Sequence, residues 1–284
     1  MTGLTGSTAV LAFAALLAAA DGATAATIVT YVSGAGTNAG SCSFTAPCRT
    51  VQFALGQTLV NGAVHALDAA DYGAVAIGRA VRLVGVPGAS LTRQASAPVV
   101  DITNVAGKVE ISGFIIDGGY NPTISVRGIN SQIGNITVKN CIVRNTGNDI
   151  GININAQASG KAIVEDTIIE HAGTTGLAFN SPPGSTLTGQ VTRVTVTYSN
   201  VIGLLVSSAT TKVSVFDSHF SHNGSHGIHV GTGAVVALHN VSSSFNAGFG
   251  LNNFSSTALS AGNNSMIGNT SGSVSGTLTK DGPI

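Results

Sequence analysis

Asp117, Arg144 and Glu170 stand 27 and 26 residues apart, and Lys139, Glu165, Asp166 and His171 fall among them. The chain has only 12 basic and 12 acidic residues in 284, and this stretch concentrates both signs. If the backbone stacks these positions, two carboxylates flanking a cation offer an acid and a base for bond cleavage. The plainer outcome is structural, because opposite charges on neighbouring strands hold register for a few tenths to about 1 kcal/mol. An arginine between two carboxylates also stays protonated, which opposes its use as a base. Asp117, Arg144 and Glu170 are therefore the candidate catalytic residues, set against ion pairing as the alternative.

A second constellation is His219, His222, His226 and His229, with His239 and His171 farther along and back. On a helix, His219 and His222 would share a face; on a strand, residues three apart have opposite parity. A metal site needs three or four ligands converging at ~2 Å with ordered outer partners. The spacing here does not demand one, so turn and surface histidines are expected, with no metal or cofactor ligands assigned. Thr195, Thr197, Ser221, Ser242, Ser244 and Ser265 read as an outward hydroxyl strip, suited to sugar hydroxyls or to a solvated sheet. Asn145, Asn223, Asn246 and Asn269 are expected to satisfy backbone groups in an internal ladder.

What positions these residues is a repeat. Glycine precedes Ile or Leu at Gly128, Gly151, Gly176, Gly203, Gly227 and Gly250, with spacings of 23, 25, 27, 24 and 23 residues. Upstream of each pair lies a second mark, as in Asn140-Cys-Ile-Val-Arg-Asn145, Asp166-Thr-Ile-Ile-Glu-His171 and Asp217-Ser-His-Phe-Ser-His222. This period is too short for a βαβ unit and fits one turn of a solenoid. Alternation sends Cys141, Val143, Thr167, Ile169, Val194, Val196 and Phe220 to one face, and Arg144, Glu170, Thr197 and His219 to the other. Ile142 and Ile168 fall on the outward face and obey no rule read from the sequence. Each cycle is about three short strands joined by turns, and stacked cycles bury one continuous core. The equivalent positions then form columns: Asp117, Arg144, Glu170, Thr197, Ser221 in one, and Ser112, Lys139, Glu165, Thr192, Phe216, His239 in another.

Composition agrees with an all-β chain. Charged residues make up 8% and glycines number 37, with no Trp, which favours strands and tight turns over helices. Disordered chains are polar and charge-rich, unlike this one at 43% apolar. Zero net charge with scattered basic residues gives no footprint for nucleic acid. Residues 1–25 read as a signal peptide: an apolar run over 8–20, then Asp21-Gly22 and the small residues Ala23-Thr24-Ala25. No other segment is long and apolar enough to cross a membrane as a helix, so a secreted, periplasmic or cell-surface location follows. Cys42 and Cys48 bracket Ser-Phe-Thr-Ala-Pro, and an oxidising compartment lets them pair as a disulfide. Cys141 fits a small buried side chain rather than a reactive thiol.

The Asn/Asp-x-x-hydrophobic-x-Asn/His blocks followed by Gly-Ile/Leu-x-Ile/Val resemble the right-handed parallel β-helix proteins of the pectate-lyase-like superfamily. The repeats run over roughly 107–268. The upstream Tyr31-Val-Ser-Gly-Ala-Gly and Cys42-Ser-Phe-Thr-Ala-Pro-Cys-Arg-Thr-Val-Gln-Phe-Ala-Leu are similar to the entry of exported bacterial members. There a strand and proline turn lead into a short helix, here N-capped by Thr50 with Val51, Ala54, Leu55, Thr58 and Leu59 at helical spacing. Such a helix shields the first strand edge. The expected organisation is a leader over 1–25, an entry unit with the first rungs over 26–106, and β-helix repeats over 107–284. The resemblance implies a monomer whose partner is polysaccharide or a cell-surface glycan. It also implies the lyase arrangement, in which acidic groups, often with calcium, neutralise a uronate and Arg or Lys removes a proton. A lyase, hydrolase or epimerase on acidic glycan and a non-catalytic adhesin or surface scaffold are both compatible with these residues.

Overall fold

The computed structural model describes residues 27–93, 96–119, 121 and 127–280; the expected leader lies outside them. The chain winds into a right-handed parallel β-helix whose strands form three sheets of eleven, seven and nine strands. One turn shows the plan. Ile136–Lys139 belongs to the eleven-stranded sheet, Ile142–Arg144 to the seven-stranded and Ile152–Asn155 to the nine-stranded, before Gly160–Glu165 returns to the first. Pairing between successive turns is parallel and in register: Lys139 opposite Glu165, Arg144 opposite Glu170, Ile152 opposite Leu177. Both columns expected from the sequence therefore exist, Asp117 to Ser221 and Ser112 to His239.

The Asn/Asp mark has a backbone cause. Between the eleven- and seven-stranded sheets the chain turns on a single left-handed residue, with φ of 52° at Asn140, 47° at Asp166, 49° at Asp217 and 51° at Asn240. Asn and Asp tolerate that conformation better than other residues with a Cβ. The recurrent glycine answers a different constraint. A Cβ on Gly151 would lie 2.6 Å from the Gly176 carbonyl oxygen, and one on Gly203 would lie 2.5 Å from that of Gly227. The backbones of successive turns approach too closely there for a side chain.

Inside, like stacks on like. Val138, Val164, Val191, Val215 and Leu238 form one buried column, and Val143, Ile169, Val196 and Phe220 another. Burying each such side chain contributes roughly 1.5–3 kcal/mol. Asn223, Asn246 and Asn269 form the expected ladder: Asn246 Oδ1 accepts from the Asn223 amide and side chain at 3.0 and 2.9 Å, and Asn269 Oδ1 accepts likewise from Asn246. Asn145 is a correction. It occupies a left-handed corner position, and its side chain points to Asp117 outside the core.

The entry unit closes the amino-terminal end. Thr50 caps the helix Val51–Gln57, with its hydroxyl accepting from the Phe53 amide. Leu59, expected within the helical pattern, instead lies in the strand Thr58–Ala66 and is exposed, because Thr58 already has extended backbone. Cys42 and Cys48 form the disulfide, with Cα atoms 4.9 Å apart. Its loop pairs with the outermost strand, Thr27–Val32: Tyr31 N–H donates to Cys42 O, Cys48 N–H to Tyr31 O, and Ser33 N–H to Cys48 O. The loop thereby occupies an edge that would otherwise template aggregation. Cys141 is buried, and burial raises its thiol pKa to about 11. Among the described residues no helix is long and apolar enough to cross a membrane.

Candidate functional site

The seven-stranded sheet presents Asp117, Arg144 and Glu170 side by side on its outer face. Arg144 Nε donates to Asp117 Oδ2 at 2.8 Å, Asn145 Nδ2 to both carboxylate oxygens at 3.2 and 3.3 Å, and the Gly119 amide to Oδ1 at 2.8 Å. Partial burial opposes ionisation of Asp117, but the Gly119, Arg144 and Asn145 donors outweigh it and hold the carboxyl below its ordinary range. Glu170 makes no ion pair with any described residue. Beside this column runs a second outward one, Ile115, Ile142 and Ile168, in register with one another. The two isoleucines that fitted no sequence rule are thus part of a three-rung apolar ridge on the outer face, with Ile168 43% exposed.

The rest of the expected charge cluster separates. Lys139 and Glu165 sit on the eleven-stranded sheet, around the corner from Arg144 and Glu170. Lys139 pairs with Glu110 at 2.6 Å, not with Glu165. Glu165 and Asp166 both pair with Arg193, whose Nε lies 2.6 Å from Asp166. His171 joins an exposed stack of rings with Tyr198, His222 and Phe245, at centroid separations of 5.4, 5.2 and 5.6 Å. Phe44, Phe216, Phe245 and Phe254 are exposed. The ring stack stands at the surface, with Tyr198 51% and Phe245 56% exposed.

The histidine group likewise divides. His219 points outward from the seven-stranded sheet, and His222 stands in the ring stack. His226 and His229 stack at 5.8 Å beside the nine-stranded sheet. The Phe249 amide donates to His226 Nδ1 at 3.1 Å, which leaves Nε2 to carry the proton. Nε2 and His229 Nδ1 both meet the Asn252 carboxamide, at 3.1 and 3.0 Å. The Asn252 atom in both contacts is Nδ2. Burial lowers the pKa of both histidines. Among the described residues no group of three or more His, Cys, Asp or Glu is placed to hold a metal.

A cavity lies away from both of these groups. A cleft of about 480 Å³ opens between the capping helix and the nine-stranded sheet, lined in part by Thr50, Gln52, Tyr72, Pro98 and Asp101. From Asp101 a line of outward side chains continues across successive rungs. Asn130 Nδ2 donates to Asp101 Oδ1 at 2.8 Å, and Asn153 Nδ2 donates to Asn130 Oδ1 at 3.0 Å. Arg127 flanks the line, with Nε 3.1 Å from Asp149. The sequence signal for this line was the shared phase of Asn130 and Asn153, each directly after a Gly-Ile pair; Asp101 follows Val99-Val100 instead and carries no such mark. A smaller polar groove of about 270 Å³, lined by Asp217, His219, Asn240, Ser242, Asn263 and Ser265, lies on the corner beside the hydroxyl strip.

Two solved structures share this architecture. The pectate lyase Pel9A superposes with a TM-score of 0.56 at 14% identity, over 92% of this chain and 80% of that one. The A-module of the mannuronan C-5 epimerase AlgE4 from Azotobacter vinelandii superposes with a TM-score of 0.50 at 14% identity, over 70% of this chain and 67% of that one. The chain has the pectate-lyase-like β-helix fold. No family model matches its sequence, and neither does any curated protein. The likeness at this identity is one of backbone. The function of this pectate-lyase-like β-helix must be argued from its own side chains.

Proposed function

We propose that this β-helix binds polysaccharide along the outer face of its nine-stranded sheet. The observation that carries the reading is the line Asp101–Asn130–Asn153 running out of the cleft beside the capping helix. Carboxylate and carboxamide groups recur there at ~4.8 Å intervals, close to the advance of a sugar unit in an extended glycan. Asp101 and Asn153 are part-exposed at the two ends of the line, while Asn130 is buried between them and holds both in place; a few polar groups so fixed in a concave site suit sugar hydroxyls. The two solved structures of like fold are named for acting on pectate and mannuronan, which fits a glycan as the partner. The disulfide suits an oxidising compartment and hence an exported chain acting at or outside the cell surface.

Binding without cleavage is favoured because the Arg144 guanidinium is engaged by the Asp117 carboxylate. The second reading, a lyase, hydrolase or epimerase acting on acidic glycan, draws on Glu170, whose carboxylate stands beside Arg144 with no ion pair of its own among the described residues. One experiment addresses both. The purified protein is titrated with neutral and acidic glycans, with and without calcium, while unsaturated-uronate absorbance and reducing ends are followed. Glycan retention that weakens in Asn130→Ala, without product release, supports binding. Product release abolished by Arg144→Ala would overturn it in favour of the enzyme.

A further inference from the structure

The eleven-stranded sheet carries charge that register has sorted. Lys108, Lys161 and Lys212 are exposed and share one outward column. Asn135 stands on the rung between the first two and Thr188 on the rung between the last two. Lysine therefore recurs every second rung, roughly 10 Å apart at the strand spacing of a sheet. Arg82 and Lys139 flank this column on the same face. The acidic residues within these strands are Glu110 and Glu165, and both are already engaged. Glu110 lies 3.6 Å from Lys108 and 2.6 Å from Lys139, and Glu165 is held by Arg193. Lys161, Lys212 and Arg82 make no ion pair with any described residue. Basic residues that looked scattered in the sequence form a positive strip on one face of a chain whose net charge is zero.

We infer that this strip binds a linear anionic polysaccharide laid along the solenoid axis, its carboxylate or sulfate groups meeting successive lysines of the column. The surface lies on a different sheet from the cleft proposed above, so it stands independently of that reading. Charge density favours a glycan over nucleic acid. Duplex DNA carries one charge per ~1.7 Å of axis, far denser than lysines set roughly 10 Å apart. Lysine ammoniums are mobile point charges that accept either carboxylate or sulfate.

The test uses the full chain at about 20 mM salt, where screening between exposed charges is weak, with polygalacturonate, dextran sulfate, neutral dextran and single-stranded DNA as probes. Binding to either anionic glycan should fall steeply with salt. It should weaken about tenfold in Lys161→Gln/Lys212→Gln, with a shallower salt slope. Lys280→Gln, at the carboxy-terminal edge of the sheet, should leave it unchanged. Polygalacturonate bound in preference to dextran sulfate assigns the strip to carboxylates, and the reverse assigns it to sulfates. No binding of either polyanion, undiminished binding by the double variant, or preference for DNA over both would overturn the inference. Anionic-glycan binding that survives Asn130→Ala separates this surface from the cleft, so either one can fail alone.

Discussion

Arg144 reaches back along its column to Asp117, 2.8 Å from Nε to Oδ2, and makes no ion pair with Glu170 on the rung beyond. The column therefore works as a pair with a carboxylate to spare. Asp117→Asn should cost about 1 kcal/mol in urea denaturation at neutral pH, the upper end for a partly exposed pair. Because the folded carboxyl titrates below its ordinary 3.8, its stabilisation is complete above that value and disappears as pH falls through the lowered one. The wild type should show that acid loss and Asp117→Asn should lack its share of it.

Asn246 is buried between Asn223 and Asn269 and donates to Phe220 O at 3.1 Å as well. Asn246→Ala strands several buried polar groups at once and should cost about 2–4 kcal/mol. Asn145→Ala removes the contacts to Asp117 and puts Ala at a left-handed corner, and should cost less than Asn246→Ala. Equal losses in the two variants, measured by urea titration, would contradict the ladder as the larger source of stability.

Tyr198 holds a left-handed backbone, φ 56°, between the rings of His171 and His222. Two effects oppose each other at this residue. Ring stacking contributes about 0.5–1.5 kcal/mol per pair, and the left-handed conformation costs about 1–2 kcal/mol for a residue with a Cβ. Tyr198→Ala loses the stacking and keeps the backbone cost, so it should be destabilised. Tyr198→Gly loses both, so it should be more stable than Tyr198→Ala by about 1 kcal/mol in thermal melts.

His226 and His229 are held below their ordinary pKa of 6.5 by burial, and His226 Nδ1 must stay unprotonated to accept from the Phe249 amide. A lowered histidine binds fewer protons folded than unfolded, so its stabilisation is full above pH 6.5 and declines as pH drops through the folded values. The urea midpoint should therefore fall between pH 7.5 and 5, and His229→Gln should flatten that slope. A midpoint independent of pH across this window would refute the assignment.

The Cys42–Cys48 loop is short, so its cross-link is worth about 2 kcal/mol by loop-closure entropy. Reduction should act on the end of the solenoid that the loop covers. Hydrogen exchange is the readout: the Tyr31 and Ser33 amides, which donate to Cys42 O and Cys48 O, should lose protection on reduction. Amides in the central rungs, such as Val164, should keep theirs.

Much of the architecture could be read from a single sequence, because parallel in-register stacking turns period into contact. Lys139 stands opposite Glu165 in the strand register, and Arg144 opposite Glu170, as their shared phase implied. Phase did not reveal which face a column occupies. Lys139 and Arg144 are five residues apart, yet the left-handed residue Asn140 turns the chain between them onto another sheet, and one expected cluster becomes two. The line from Asp101 through Asn130 to Asn153 was overlooked because two of its three side chains are uncharged and give no contrast along the sequence, whereas in space the three join end to end.

By itself the sequence determined the coil: the glycine-led strands, the inward columns, the carboxamide ladder, the capped entrance and the cysteine pair. Each is a local or strictly periodic property, fixed by strand parity, corner conformation and loop length. The tertiary structure decided which outward residues meet. Turns of 23 to 27 residues let Lys108, Lys161 and Lys212 align only after unequal loops are absorbed at the corners. Side-chain direction then chose Asp117 over Glu170 as the partner of Arg144. Those choices depend on the summed geometry of whole turns, which no stretch of sequence contains alone.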